Sequence, residues 1–432
     1  MKTQKIDTGI PANRLIIGDV GSGKTLVAIM SLLAYIESFQ NQNPEESISI
    51  ALMAPTEVLA SQHYQKLIEL IQTLELNWLD TLFISNKQKL LNNTKLTPKN
   101  LEKYLEKPKF SFWVGTHALL FLKGFEPAMV VTDEQHRFGV RQRQNLSNTE
   151  NKNTQNLLAH YISMTATPIP RTLALTVYGD LKASYVKKIE TRIPIKTTIT
   201  ELENFENRVL PTIKAKLAEG QKMFVICPSI EADEDNPAQK DELWTLKSAQ
   251  EMLEKYFDSS IISSLHGKLA AKNQILEDFK NSETQQILIS TTVIEVGVDV
   301  HQASIMLIFN PERFGLAQLH QIRGRVGRNN FPDNFCFLLA DNKNIMFLPR
   351  LKFLCSSNDG FAIAQEDLRL RGQGDIYGTT QSGQAEDLTG LDLKQYSKIR
   401  HIVDEIDFES IQKEYPKLEK YLIEASQEVW GE

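Results

Sequence analysis

The chain has 432 residues, 41% of them hydrophobic and 24% charged, which fits a globular protein of two or three domains. No apolar run approaches the roughly 20 residues that span a bilayer, and Met1 to Arg14 lacks the apolar stretch of a leader peptide. The three cysteines (Cys227, Cys336, Cys355) stand alone with no C-x-x-C pair, which argues against a disulfide framework or a zinc site and for a reducing, cytoplasmic setting. A formal charge of −6 argues against a nucleic-acid partner, but its distribution weakens that argument. Residues 386–432 hold 12 acidic and 6 Lys/Arg residues, which leaves the other 385 neutral overall. Arginine groups (Arg137, Arg141, Arg143; those from Arg313 to Arg328; Arg350, Arg369, Arg371) can form a positive track, or can equally be solvated surface charge.

In chain order, Arg14–Val20 reads as a buried strand, Lys24–Phe39 as a helix, Ser47–Ala54 as a strand and Glu57–Leu74 as a helix. Phe112–Val114, Ala128–Thr132 and Ile162–Thr165 supply further strands. Lys187–Thr197, polar and carrying Pro194, reads as a hinge. The pattern restarts with strands at Met223–Cys227, Ile261–Ser264, Ile287–Ser290, Ser304–Phe309 and Cys336–Leu339. Asn145–Asn156 and Glu231–Glu242 read as surface loops. After about Asn342 the alternation gives way to a helical, loop-rich segment and an acidic tail. Continuous apolar strands separated by helices predict an α/β fold of parallel sheets covered on both faces.

The first strand runs into Gly18-Asp19-Val20-Gly21-Ser22-Gly23-Lys24-Thr25, a complete G-x-x-x-x-G-K-[ST] phosphate loop between a strand and a helix. Gly18, Gly21, Ser22 and Gly23 let backbone N–H groups close on phosphate, Lys24 reaches its outer oxygens, and Thr25 can ligate Mg²⁺. Asp133-Glu134 ends the Ala128–Thr132 strand, where Asp133 can hold Mg²⁺ through water and Glu134 can deprotonate the attacking water. Thr165 and Thr167 can bond this carboxylate site and relay its state, or simply cap a turn. Gly297 and Asp299 end a second-half strand, where Asp299 can bond a ribose or an arginine. About 300 residues from the loop, Gln321-Ile322-Arg323-Gly324-Arg325-Val326-Gly327-Arg328 is a glycine-spaced arginine cluster. If that segment is helical, Arg325 and Arg328 share a face suited to phosphate oxygens, with nucleic-acid contact as the competing role. A nucleotide site split in this way implies a motor.

Taken together these segments resemble the superfamily 2 helicase set. The set includes Ala54 to Tyr64 (A-P-T-E-V-L-A-x-Q-H-Y), Gly115 to Leu119 (G-T-H-A-L), D-E-Q-H at Asp133 and T-A-T-P-I-P-R from Thr165. The run Asp133 to Val140 narrows the resemblance to RecG-type translocases and the transcription-repair coupling factor. D-E-Q-H favours the former, as does the segment Asp359 to Leu368 followed by Leu370-Arg371-Gly372 and Gly378 to Gly383.

The resemblance implies two tandem RecA-like domains (1–190 and 195–342) and a C-terminal translocation segment (343–432). It implies ATP and Mg²⁺ as cofactors, and duplex or branched DNA (stalled forks, Holliday junctions) as partner, in recombination and repair near the bacterial nucleoid. Gln321, Arg325 and Arg328 then fall at the catalytic arginine motif, Thr56 and Thr116 at DNA-backbone contacts, and Arg350, Arg371 and Gln381 at the translocation hairpin. Neither the family's N-terminal wedge domain nor its L-T-x-x-Q adenine-contacting element is found before Gly18, and Thr380 stands where the family has Arg. The chain therefore reads as a motor fragment. The rival readings are a coupling-factor translocase and a fragment that binds nucleotide or DNA without turnover.

Overall fold

The computed structural model describes residues 12–106, 109–122, 124–134, 150–151, 157–165, 182–187, 193–228, 243–265, 272–291, 300–328 and 331–371. Of the residues singled out above, Arg137, Arg141, Arg143, Thr167, Gly297, Asp299, Thr380 and Gln381 lie outside them, as do the acidic tail and the loop Glu231–Glu242. Arg371 closes the last described helix, and its side chain is likewise outside.

Nine strands form the first sheet: β1 (Asn13–Gly18), β2 (Ser49–Met53), β3 (Asp80–Ile84), β4 (Lys89–Leu91), β5 (Thr94–Lys95), β6 (Ser111–Gly115), β7 (Met129–Asp133), and, after a two-stranded ribbon of β8 (Glu150–Asn151) and β9 (Leu157–Leu158), β10 (His160–Thr165) and β11 (Lys182–Val186). Their order is β11-β1-β10-β7-β2-β6-β3-β4-β5, parallel except for the β3-β4-β5 meander. Helices α1 (Lys24–Gln42), α2 (Glu57–Thr73) and α3 (Pro98–Glu106) supply the connections. The core strands are buried end to end because they are covered on both faces. Ile16, Ile50, Leu52, Val114 and Val131 pack with Leu32, Ile36 and Leu67 of the helices, and Trp113, Leu82, Ile84 and Val130 fill a second cluster.

The second sheet is parallel throughout: β12 (Ile195–Glu201), β13 (Lys222–Ile226), β14 (Ile262–Leu265), β15 (Ile287–Ser290), β16 (Ala303–Phe309) and β17 (Asn334–Ala340), in the order β12-β17-β16-β13-β15-β14. With it go α4 (Leu210–Ala218), α5 (Leu246–Leu253), α6 (Lys272–Asn281), α7 (Leu316–Arg323), α8 (Pro349–Ser356) and α9 (Gly360–Arg371). The described residues of both sheets belong to one compact unit.

Two sequence expectations need correction. The hinge read over Lys187–Thr197 ends earlier, because β12 begins at Ile195 and runs along the sheet edge. Its Ile-Lys-Thr-Thr-Ile-Thr-Glu alternation buries Ile195 and Thr197 and exposes Lys196 and Thr198. The arginine cluster is not one helix. The helix stops at Arg323, Gly324 caps it, and Gly327 adopts φ +72°, which no helix accommodates.

Candidate nucleotide site

In the first sheet the segments singled out in the sequence meet because of strand order. β1, β10 and β7 are neighbours, with Ile17 opposite Thr165 and Met164 opposite Asp133. Gly18, Thr165 and Asp133 therefore end adjacent parallel strands at one carboxyl edge, where open α/β sheets bind ligands. β2 and β6 are also paired, Met53 opposite Gly115, which brings the segments that follow them, with Thr56 and Thr116, to the same edge.

The loop leaves β1 through a turn in which the Ser22 N–H donates to the Asp19 carbonyl at 3.2 Å. Gly21 and Gly23 hold φ +75° and +85°, left-handed values that suit only glycine, and Gly23 caps α1. Lys24, buried, donates through Nζ to the carbonyls of Gly18 (2.8 Å) and Asp19 (2.7 Å). Burial lowers its pKa. The charges of Asp133, Glu134 and Asp19 work against that shift, and Arg325 adds to it. One amine thus senses the carboxylate pair of the first lobe and an arginine of the second. Thr25 follows it, half-buried.

Asp133 is buried, and its Oδ2 lies 2.9 Å from Nε2 of His63 on α2. Burial alone would raise the Asp133 carboxyl. The hydrogen bond and charge of His63, with Lys24 and the Glu134 N–H, outweigh it and hold the carboxyl below its ordinary range. His63 is a letter of the Ala54–Tyr64 motif, yet no role was read for it, because its partner lies 70 residues on. Glu134 adopts φ +52°, a left-handed conformation that is costly for a non-glycine residue and is found mostly at functional positions. Thr165 is buried at the end of β10.

From the second lobe, α7 presents a fully buried surface that includes Gln321 and Arg323. Arg325 and Arg328 follow in the turn, half-buried, and Arg328 Nε donates to the Gly324 carbonyl at 3.3 Å. His320 Nε2 lies 2.6 Å from Asp19 Oδ1, a direct bond between the phosphate loop and the arginine segment 301 residues later. Arg350 donates to the Glu312 carbonyl and is half-buried. Thr56 and Thr116 are helix caps. Thr56 Oγ1 accepts from Leu59 N at 3.3 Å, and Thr116 Oγ1 from Ala118 N at 3.4 Å.

The fit of this loop to a triphosphate rests on Ser22. Its Oγ is buried with no hydrogen-bond partner among the described residues, in the glycine-rich loop that opens α1. Thr25 and Asp133 carry oxygens of the kind a divalent cation takes as ligands. Among the described residues no group of His, Cys, Asp and Glu forms a protein-only metal cluster, and no helix is long and apolar enough to cross a membrane.

Three family profiles match the chain: "DEAD/DEAH box helicase" over residues 4–176, "Helicase conserved C-terminal domain" over 206–330, and "ATP-dependent DNA helicase RecG, domain 3, C-terminal" over 357–420. Curated relatives named ATP-dependent DNA helicase RecG include one from Synechocystis, 41% identical over 88% of this chain and 43% of its own length. Another, from Staphylococcus aureus, is 37% identical over 92% of this chain and 54% of its own. The chain spans about half the length of the curated relatives it matches. Among solved structures, RecG bound to a three-way DNA junction aligns with a TM-score of 0.64 and 32% identity, covering 90% of this chain and 47% of that one. The Mycobacterium smegmatis helicase Lhr (TM-score 0.51, 15% identity, 82% of this chain and 46% of that one) shares the two-sheet RecA-like fold alone.

Proposed function

We propose that this chain, which belongs to the RecG-type superfamily 2 helicases, hydrolyses ATP at the junction of its two lobes and uses the resulting movement to travel along duplex DNA. The observation that carries this reading is the meeting of the split site. Asp19 of the phosphate loop is hydrogen-bonded to His320 of α7, the helix that leads into Arg325 and Arg328. A site assembled from two lobes is remade whenever the lobes shift, which is what a motor requires.

In this reading the loop N–H groups, Ser22 and Lys24 bind the phosphates. Mg²⁺, held by Thr25 and by Asp133 through water, would neutralise charge on the outer phosphates. Glu134 orients the attacking water and takes its proton from the left-handed backbone position that follows β7. Gln321, Arg325 and Arg328 stabilise charge as the phosphate departs. Thr165, with Thr167, Gly297 and Asp299, relays the state of the site. The division of labour assigns 1–190 and 195–342 to the two RecA-like domains and 343–432 to translocation, through Arg350, Arg371 and Gln381.

The partner in this reading is duplex DNA, including branched forms. A relative's complex with a three-way junction supports it, and the confinement of the net negative charge to residues 386–432 leaves it open. Thr56 and Thr116 cap the helices that follow β2 and β6, on the edge where the backbone would pass, and backbone contact carries no sequence information. The test is hydrolysis of MgATP with and without linear duplex. The reading expects Mg²⁺-dependent turnover that rises with DNA, and hydrolysis no faster than the uncatalysed reaction would refute it.

A further inference from the structure

The contact between His320 and Asp19 is one link of a directed chain. Arg323 Nη2 lies 3.0 Å from His320 Nδ1, and a guanidinium only donates. Nδ1 is therefore the acceptor, so the ring proton sits on Nε2 and is given to the Asp19 carboxylate at 2.6 Å. Asp19 Oδ1 also accepts from the Val20 N–H at 2.6 Å, which ties the same oxygen to the phosphate-loop backbone. At the far end, Arg323 Nη1 donates to the carbonyls of Leu354 (2.6 Å) and Ser357 (2.9 Å), at the close of α8. All three side chains are at least 94% buried.

Two glycines make room for this chain. A Cβ on Gly324 would come within 2.9 Å of Val20 Cγ1 in the phosphate loop. A Cβ on Gly360, the first residue of α9, would lie 2.7 Å from Asp19 Oδ1 and 2.8 Å from His320 Nε2. The phosphate loop, the arginine helix and the start of α9 therefore meet at one hydrogen bond, with no space for a methyl group.

We propose that His320 is a positioning residue that clamps the phosphate loop, through Asp19, to the arginine-bearing segment of the second lobe. In doing so it sets how well Arg325 is placed against a bound triphosphate. This consequence rests on the hydrolysis reading above. The clamp itself does not depend on turnover and is tested without it.

The experiment uses the full chain with Cys355→Ser and spin labels at Lys66→Cys and Lys247→Cys, both exposed positions, one in each lobe. Distances between the labels are measured without nucleotide. The His320→Gln side chain reaches the Nε2 position and can donate to Asp19, so it keeps the native distance distribution. His320→Asn reaches only the Nδ1 position, so it broadens or displaces the distribution. Gly360→Ala leaves both partners chemically intact but pushes them apart, and it behaves like His320→Asn.

In MgATP hydrolysis, His320→Asn lowers kcat roughly tenfold or more while KM stays within about twofold, as expected when reacting groups are misplaced rather than lost. Asp19→Ala combined with His320→Asn is no worse than the more damaging single change, because both break one bond. Native distances in both His320→Asn and Gly360→Ala would overturn the clamp, as would equal disturbance by Gln and Asn. An additive double variant, or a loss confined to KM, would overturn its role in turnover. A wild-type chain without hydrolysis would refute the hydrolysis reading, and the distances would then decide the clamp alone.

Discussion

At the residue scale the account depends on which group does which part of the chemistry. Glu134→Gln keeps the shape of the side chain and removes the base, so MgATP binding should persist while turnover falls by about 10²-fold or more. Equilibrium binding of a fluorescent ATP analogue beside steady-state hydrolysis checks both halves, and near-native turnover would remove Glu134 from its role. Arg325→Ala should reduce kcat by roughly 10³-fold with little change in ATP affinity, since an arginine at this position acts on charge that appears only as the phosphate leaves. Normal hydrolysis combined with lost DNA binding would instead make Arg325 a DNA ligand. The residues that were legible in the sequence are those whose chemistry needs a fixed local spacing, as in Gly18 to Thr25 and Asp133-Glu134. His63 and His320 were not legible, because a lone histidine signals nothing until its carboxylate arrives from 70 or 301 residues away.

At the element scale, the buried parallel strands announced themselves as short apolar runs. β1, β2, β7, β10, β15 and β16 fall within a residue or two of their expected ends. The strands that were missed are the buried β3, the short β4, β5, β8 and β9, and the edge strands β11 and β12; of these β12 carries Lys and Thr on a β-branched alternation that passed for linker. The shared face of Arg325 and Arg328 was conditional on a helix there, and the helix ends at Arg323, with Gly324 and Gly327 beyond it.

Thr56 has two roles on offer, and they separate experimentally. As the cap of α2 it should cost about 1 kcal/mol of stability on replacement by Ala and much less on replacement by Ser, read by denaturant unfolding. As a DNA-backbone contact it should lower duplex affinity at unchanged stability. Loss of stability without loss of affinity would leave it a cap alone.

His160 opens β10 and accepts the Ala12 N–H on Nδ1 at 2.8 Å, and burial lowers its pKa below the ordinary 6.5. The folded state thus binds this proton less readily than the unfolded one. Its contribution to stability is complete above about pH 6.5 and is lost as the pH falls below that value. Thermal unfolding should show the native chain losing more stability between pH 7.5 and 5.5 than His160→Gln. Equal losses would remove His160 as a source of the acid sensitivity.

At the scale of the whole molecule, the formal charge of −6 pointed away from nucleic acid, and only its uneven distribution left that partner open. A neutral body that holds DNA through local arginines should bind it chiefly through phosphates. Affinity for linear duplex should then fall steeply and log-linearly with salt, and a flat salt dependence would speak against a phosphate track.

The central claim is that hydrolysis at a two-lobed site becomes movement along duplex DNA, and displacement of a third strand from a triplex block on linear duplex tests it most directly. The assay reads translocation with no need to unwind the duplex. The account predicts displacement that requires MgATP, is abolished by Lys24→Ala and Glu134→Gln, and is slowed by Arg325→Ala in step with hydrolysis. Brisk DNA-stimulated hydrolysis with the third strand left in place would contradict it.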